Sequence, residues 1–409
     1  MAQNDEGALR GGMTHGVFSV GRLARIGDYL RARVASGEVA GAVALVARRD
    51  AIHVEAIGVQ DLASGAPMRR DTLFRIASMT KPITAAAAII LVEEARIALD
   101  DPVERWLPEL ADRSVLRSIE SPLDDLAPAR RPITLRDLLA FTPGLGVVMA
   151  PPGTYPIQAA MTDLGVAPGA DQLPFPPDEF MARIGALPLI HQPGERWMYH
   201  TGADLAAVLI SRVTGRPLED FLRERLFAPL GMKDTGFSVP EARLDRLASC
   251  YARGDDGALE VWDEARGGRY AQPPAFPNAL VSTADDYLAF AKMLLDDGRH
   301  PGGRILARPT VRFMMSDQLT SAQKAASPFF PGFWDNRGWG FGGAVITRRD
   351  GIADSPGRYG WDGGFGTTFI VDPSEEMVAI LLTQRLMRGA NDTAINQDFL
   401  TLAYAAIDD

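Results

Sequence analysis

Features that build disulfides, membrane spans and export signals are scarce or missing in this chain. Cys250 is the only cysteine in 409 residues, so one chain forms neither a disulfide nor a zinc site made of cysteines. The most apolar stretch, residues 83–92, is far shorter than the roughly 20 residues of a membrane-spanning helix. The N-terminus carries acidic residues and glycines where a secretory signal has an apolar run. From these absences we expect a cytoplasmic protein.

Excess positive charge and the common cofactor motifs are also missing. The 52 acidic residues outnumber the 42 lysines and arginines, which gives a formal net charge of -10. Nucleic acids and anionic membranes attract clustered positive charge, so we expect neither as a partner. The sequence has no Gly-x-Ser-x-Gly elbow, His-Glu-x-x-His pair, phosphate-binding loop or dinucleotide fingerprint. We expect no metal, no cofactor and a small-molecule substrate; the sequence does not indicate an oligomeric state.

Lysine is rare, and one lysine follows a serine at a useful spacing. The only lysines are Lys81, Lys233, Lys292 and Lys324. Ser78 precedes Lys81 by three residues at the start of an apolar, helix-like segment, so both side chains would lie on one face within hydrogen-bonding distance. A neighbouring base makes a serine hydroxyl nucleophilic, and a desolvated lysine can act as that base. Ser78 and Lys81 are therefore the candidate nucleophile and its activating partner.

Ser321 and Lys324 have the same spacing in a different context. Their segment is polar and leads into Ala325-Ala326-Ser327-Pro328 instead of an apolar helix. We interpret this second match as a chance occurrence.

A tyrosine and a glycine-rich segment complete the set of candidates. Tyr199 lies on a loop that enters a helix, and a phenol acts as a general base where positive charge, here from Lys81, lowers its pKa. The glycine-rich segment Tyr359-Gly360-Trp361-Asp362-Gly363-Gly364 precedes a strand-like run. Its glycines allow close approach of a ligand, and the N–H groups of Gly364 and Ser78 are candidates for an oxyanion hole. Taken alone, the tyrosine is better explained by packing, and the glycine segment is equally explained by an ordinary turn.

Hydrophobic patterning predicts a sheet built from both chain ends and a helical region between them. Strand-like runs at 41–47, 52–59, 339–347, 367–371 and 377–383 accompany predicted terminal helices at 18–36 and 392–407. The middle favours helices at 78–96, 135–141, 203–213, 218–226 and 284–295, and a long loop at 144–177 is expected to be functional or mobile. The predicted fold class is α+β, an antiparallel sheet flanked by terminal helices with an inserted, mainly helical domain. We place the sheet domain at 1–77 plus 275–409 and the helical domain at 78–274, with the active site at their interface.

In this order and context, the three motifs resemble those of the serine β-lactamase and penicillin-binding-protein superfamily. They are most similar to the class C β-lactamase-like branch, which includes the family VIII carboxylesterases and related acyltransferases. The resemblance covers nearly the whole chain and implies the β-lactamase-like fold. It implies that Ser78 is acylated, that Lys81 activates it, and that Tyr199 acts as a base in acylation and deacylation. It also implies an oxyanion hole made by the Ser78 and Gly364 N–H groups.

The departures from the superfamily pattern bear on the substrate. Thr201 stands where β-lactamases of this branch have the asparagine of Tyr-x-Asn, and Trp361-Asp362-Gly363 stands where they have Lys-Thr-Gly. The missing lysine would meet the β-lactam carboxylate, whereas Trp361 offers an apolar wall and Asp362 would repel an anion. Together with Gly363 and Gly364, these two residues are the predicted oxyanion and substrate-binding set. We expect an esterase for uncharged, short-chain esters.

Three alternatives stay open at this point. A β-lactamase or D-amino-acid peptidase of the same fold would need a cation near Trp361, for which Arg348 and Arg349 are candidates. A transacylase would pass the acyl group to a small alcohol, since water and alcohols compete for one acyl-enzyme. A non-catalytic binding protein would keep the fold, although intact Ser78, Lys81 and Tyr199 argue against it.

Overall fold

The computed structural model describes residues 17–170 and 172–409. Its helices are α1 (Val20–Ala35), α2 (Thr80–Glu93), α3 (Leu135–Leu139), α4 (Pro156–Asp163), α5 (Pro177–Gly185), α6 (Thr201–Thr214), α7 (Leu218–Leu222), α8 (Ala228–Leu230), α9 (Ala284–Leu295), α10 (Arg308–Met314), α11 (Ser321–Ala325) and α12 (Ala394–Ala405). Its strands are β1 (Gly41–Arg48), β2 (Ala51–Gly58), β3 (Phe74–Ala77), β4 (Ser114–Leu116), β5 (Leu126–Pro128), β6 (Cys250–Arg253), β7 (Leu259–Asp263), β8 (Leu280–Ser282), β9 (Arg299–His300), β10 (Gly303–Arg304), β11 (Arg337–Trp339), β12 (Ala344–Ile346), β13 (Tyr359–Gly363), β14 (Thr367–Asp372) and β15 (Met377–Thr383). No helix in this described part is long and apolar enough to cross a membrane.

A seven-stranded antiparallel sheet joins the two ends of the chain. Its strand order is β11-β12-β13-β14-β15-β1-β2. β1 pairs with β15 from Ala42 opposite Thr383 to Arg48 opposite Met377, and both strands are buried throughout. Strands buried on both faces read as continuous apolar runs, which is how their sequences read. The predicted hairpins and the α+β fold class are confirmed.

Helices cover both faces of this sheet. α1 and α12 pack on one face, where Ile26, Leu30 and Phe399 share a hydrophobic cluster with Ala44 and Leu381. α9 covers the opposite face, with the ring of Tyr287 centred 4.7 Å from that of Phe369 on β14. The predicted terminal helices are confirmed, and the apolar residues of β1, β14 and β15 are shielded from water on both sides.

Between the sheet segments, helices pack around α2. This helix is buried over almost its whole length, so its apolar run has no solvent-facing stripe. α6 packs against both α2 and α3, and a Cβ at Gly202 would lie 2.5 Å from the Leu138 carbonyl oxygen. The α3–α6 contact therefore requires glycine just after the tyrosine loop. The domain boundaries at 78 and 275 stay a prediction.

Two predicted elements were wrong in detail. Residues 339–347 form the end of β11, a turn and β12, because Gly340 bonds back to Gly343 and Gly342 takes a φ of +78°. A Cβ at Gly342 would also meet the carbonyl oxygen of Lys81 at 2.6 Å. The long loop at 144–177 contains α4, whose N-terminal Pro156 and Gln158 provide the helix start.

Candidate active site

Ser78 lies on the short connection between β3 and α2. The preceding residue, Ala77, has a φ of +43°, a left-handed conformation that is strained for a residue with a side chain. Ser78 is partly exposed, whereas Lys81 in the first turn of α2 is only 7% exposed. Lys81 Nζ donates a hydrogen bond to Ser78 Oγ at 3.0 Å. The predicted Ser–Lys pair is thus in direct contact.

A buried ion pair anchors the strand that leads to Ser78. The guanidinium of Arg75 on β3 binds Asp263 with a closest N–O distance of 2.5 Å, and both side chains are at most 4% exposed. Arg75 also donates to the carbonyl oxygens of Ala248 at 2.6 Å and Glu264 at 3.0 Å. With its donors satisfied in this way, Arg75 ties β3 to the segment around β6 and β7.

Tyr199 is held beside Lys81 by backbone hydrogen bonds on both sides. The Met198 N–H donates to the Phe141 carbonyl at 2.7 Å, and the Tyr199 carbonyl accepts from the Val147 N–H at 2.8 Å. Lys81 Nζ lies 5.1 Å from the centroid of the Tyr199 ring, within the range of a cation–π contact. The structure therefore brings Ser78, Lys81 and Tyr199 together.

Trp361 also contacts the phenol. Its indole Nε1–H donates to Tyr199 Oη at 2.6 Å, and the two ring centroids are 5.4 Å apart. The sequence predicts only that Trp361 forms an apolar wall. The structure adds a polar contact that fixes the position of the Tyr199 oxygen.

In the described part of the chain, the backbone N–H groups of Ser78 and Gly364 donate no hydrogen bond. β3, which leads to Ser78, and β13, which leads to Gly364, lie close together at Gly363. A Cβ at Gly363 would meet the Ile76 carbonyl oxygen at 2.4 Å, and the Thr367 hydroxyl donates to that same oxygen at 3.4 Å. Both residues with free N–H groups line one cavity. The arrangement provides two donors of the kind that stabilise an oxyanion.

Asp362 has different neighbours from those of Trp361. Asp362 Oδ1 accepts a hydrogen bond from Asn396 Nδ2 of α12 at 3.1 Å. Burial raises the pKa of Asp362, against the opposing effects of Thr368, Arg337 and Asn396. Its carboxyl group is thus held toward α12, although it still borders the cavity.

A buried histidine–aspartate pair behind the site was missed by the sequence analysis. Asp204, 6% exposed, lies 3.2 Å from His200 Nε2 and accepts from Asn278 Nδ2 at 3.2 Å. Burial alone would raise the pKa of Asp204, but the His200 and Lys81 charges hold it below its ordinary value. The sequence feature that could have indicated this pair is an acidic residue, Asp204, in the first turn of an otherwise apolar helix. His200 itself adopts an unusual φ of +89°.

The cavity beside Ser78 has a volume of about 860 Å³ and aromatic walls. Besides Tyr199 and Trp361, these walls are formed by Phe329, Phe330 and Phe333. The long loop contributes a further part of the lining, at Val147, Met149, Pro168, Gly169 and Ala170. The loop thus shapes the cavity, as the sequence predicts, whereas the aromatic segment at 329–333 carried no recognisable motif.

The other sequence candidates lie away from this site. Arg348 and Arg349 do not line the cavity; Arg348 lies 3.4 Å from Asp350 at the surface. Lys324 binds Asp317 with an N–O distance of 2.5 Å, so the second Ser-x-x-Lys match makes no serine–lysine pair.

Comparison with known proteins identifies the family. Residues 26–401 match the family model for Beta-lactamase. The chain belongs to the beta-lactamase family. An uncharacterized protein of Mycobacterium tuberculosis (strain CDC 1551 / Oshkosh) is 41% identical over 360 residues, which are 85% of this chain and 86% of that protein. Esterase EstB of Burkholderia gladioli is 31% identical over 371 residues, 85% of this chain and 87% of EstB.

Solved structures show the same beta-lactamase fold. The LovD6 mutant of simvastatin synthase from Aspergillus terreus superposes with a TM-score of 0.77 at 25% identity, over 94% of this chain and 97% of that one. The predicted membership of the serine β-lactamase and penicillin-binding-protein superfamily is confirmed. This protein is therefore a member of a family of serine hydrolases and acyltransferases, while the roles of the individual site residues stay predictions.

Proposed function

We propose that this protein is a serine carboxylesterase that hydrolyses short-chain carboxylic esters through an acyl-enzyme on Ser78. The observation that carries the proposal is the 3.0 Å hydrogen bond between Lys81 Nζ and Ser78 Oγ, beside the unpaired N–H groups of Ser78 and Gly364. The similarity to esterase EstB supports an ester as the substrate.

The acylation step follows from these positions. Ser78 Oγ attacks the ester carbonyl carbon as its proton passes to Lys81, and the carbonyl oxygen becomes an oxyanion bound by the Ser78 and Gly364 N–H groups. The bond to the alcohol then breaks as Tyr199 delivers a proton to the leaving oxygen, and Lys81 restores that proton to Tyr199. The products are a free alcohol and an acyl group attached to Ser78.

Deacylation uses the same groups in reverse. Water takes the place of the alcohol and attacks the acyl carbon; as it does so, its proton passes to Tyr199 and the phenol proton of Tyr199 passes to Lys81. The bond to Ser78 Oγ breaks, and the serine oxygen regains its proton from Lys81. Trp361 stands at the position of the lysine that binds the β-lactam carboxylate in the resembling enzymes, so a carboxylate on the substrate would have to bind elsewhere in the cavity.

The test compares p-nitrophenyl butyrate and nitrocefin as substrates for the wild type, Ser78→Ala and Ser321→Ala. Ser321 supplies a matched control because its Ser-x-x-Lys motif has the same spacing, while Lys324 is bound to Asp317. We expect release of p-nitrophenol that Ser78→Ala lowers by at least about 10³-fold and Ser321→Ala leaves unchanged. A butyryl adduct should map to the Ser78 peptide. Faster turnover of nitrocefin, or activity that survives Ser78→Ala, would contradict the proposal.

Transacylation is the second candidate, because the cavity of about 860 Å³ leaves space for an alcohol beside the acyl group. The similarity to the solved structure of simvastatin synthase, at 25% identity, also supports transacylation. Adding small alcohols to the p-nitrophenyl butyrate assay separates the two activities. A butyryl ester of the added alcohol, formed faster than butyrate, would favour the transacylase.

A further inference from the structure

The cavity beside Ser78 is also bordered by an arginine that has no ion-pair partner among the described residues. Arg337 on β11 places its guanidinium over the ring of Phe333, 5.3 Å from the centroid. Within residues 17–170 and 172–409 this guanidinium makes no hydrogen bond and no ion pair. Burial lowers the pKa of Arg337, yet a guanidinium keeps its charge at any physiological pH. Arg337 is partly exposed and lines the cavity, so its donors are available to a ligand bound there.

The charged groups around Arg337 are already committed to one another. Arg358 lies 3.4 Å from Asp354, and Asp354 also accepts from Asn336 Nδ2 at 3.0 Å. Asp362 attracts Arg337 electrostatically but lies beyond ion-pair distance, with its carboxyl group bound by Asn396. Arg337 consequently keeps its donors free within residues 17–170 and 172–409.

We propose that Arg337 binds the carboxylate of an ester that carries one, so that the substrates of this protein are anionic esters. The inference rests on the proposed esterase function and names its substrate class. The planar guanidinium matches the two oxygens of a carboxylate, and Arg337 and Ser78 line the same cavity, so one molecule can reach both. The expectation of an uncharged ester rested on the missing lysine, the apolar Trp361 and repulsion by Asp362. Arg337 supplies a cation in the same cavity, and the Asp362 carboxyl group is held by Asn396 on α12.

The kinetic test uses two pairs of esters. The first pair is 4-butyryloxybenzoate and its methyl ester, with the carboxylate on the alcohol side. The second pair is mono-p-nitrophenyl adipate and its methyl-capped diester, with the carboxylate on the acyl side. In at least one pair, Arg337→Gln should lower kcat/KM for the anionic ester by about 10- to 100-fold, mainly through KM, and leave the capped ester within about twofold. The pair that responds shows which half of the ester faces Arg337.

Two controls separate the subsite from general charge effects. Arg349→Gln removes the same charge at an exposed position outside the cavity and should leave the preference unchanged. Asp362→Asn removes the neighbouring carboxyl group and should strengthen the preference for the anionic ester. Equal loss for anionic and capped esters in Arg337→Gln would overturn the inference.

A binding measurement makes the inference independent of turnover. In the Ser78→Ala background, the anionic esters should raise Tm more than their capped partners, and adding Arg337→Gln should abolish this difference. If no ester is hydrolysed but this difference is found, the esterase proposal fails and the Arg337 subsite stands. If esters are hydrolysed and neither the kinetics nor Tm depends on Arg337, the subsite fails alone.

Discussion

The indole Nε1–H of Trp361 donates to Tyr199 Oη at 2.6 Å. This hydrogen bond joins a residue of β13 to the loop before α6, 162 positions apart in the chain. Trp361 stands where the resembling β-lactamases have a substrate-binding lysine. Here the side chain at that position contacts the candidate base itself, so the departure from the superfamily pattern affects the chemistry as well as the substrate.

Replacing Trp361 by Phe should lower kcat for p-nitrophenyl butyrate by about 10-fold, because the variant keeps an aromatic ring and loses the N–H that positions Tyr199 Oη. Steady-state kinetics of Trp361→Phe, measured beside a control variant, checks the expected loss of kcat. The matched control is Trp334→Phe, which deletes an indole N–H that donates to the Ser327 carbonyl at 2.6 Å in the same aromatic cluster. Equal activity losses in the two variants would show that the effect is general to the cluster.

Gly363 and Gly364 should respond differently to alanine. A Cβ at Gly363 would lie 2.4 Å from the Ile76 carbonyl oxygen and 2.1 Å from Thr367 Oγ1, whereas a Cβ at Gly364 meets nothing within 4 Å. We expect Gly363→Ala to lower the free energy of unfolding by about 2 kcal/mol or more and to reduce activity, because β13 must shift away from β3. Gly364→Ala should unfold like the wild type in urea. Equal stabilities of the two variants would mean that the packing of β13 against β3 leaves room for a Cβ at Gly363.

Breaking the buried Arg75–Asp263 pair should destabilise the protein strongly. Arg75→Met leaves an uncompensated carboxylate in a site where both side chains are at most 4% exposed, which typically costs about 3–5 kcal/mol. Arg70→Met breaks an ion pair with Asp285 whose side chains are 53% and 46% exposed, and should cost under about 1 kcal/mol. Urea unfolding measures both. Similar costs for the two variants would argue against the buried pair as the anchor of β3.

Stability should depend on pH through His191. Burial lowers the pKa of His191 to about 4, from an ordinary value of 6.5, with Arg196 adding to the effect. Between these values the unfolded chain binds a proton that the folded chain does not, so this contribution is complete above pH 6.5 and is lost as the pH falls toward 4. Since the side chain is partly exposed, we expect the free energy of unfolding to fall by about 1 kcal/mol between pH 7 and pH 5. His191→Gln should reduce this slope, and an unchanged slope would refute the assignment.

Local patterns predicted the sheet and the Ser–Lys pair well. The hairpins β1–β2 and β14–β15 follow from short apolar runs with polar turns, and the hydrogen bond between Lys81 and Ser78 follows from a spacing of three residues. The prediction failed at residues 339–347, where Gly342 packs against the Lys81 carbonyl and a turn replaces a continuous strand. That turn depends on a distant helix, so the local pattern of residues could not indicate it.

The sequence by itself determined the fold class and the contact between Ser78 and Lys81, because hydrophobic periodicity and helical spacing act over a few residues. Only the tertiary structure decided that Trp361 binds the Tyr199 oxygen, that Asp204 lies buried behind Lys81, and that Arg337 borders the cavity with no ion-pair partner in the described part of the chain. These relationships join residues far apart in the chain, and their distances are set by how the sheet, the helices and the long loop pack together.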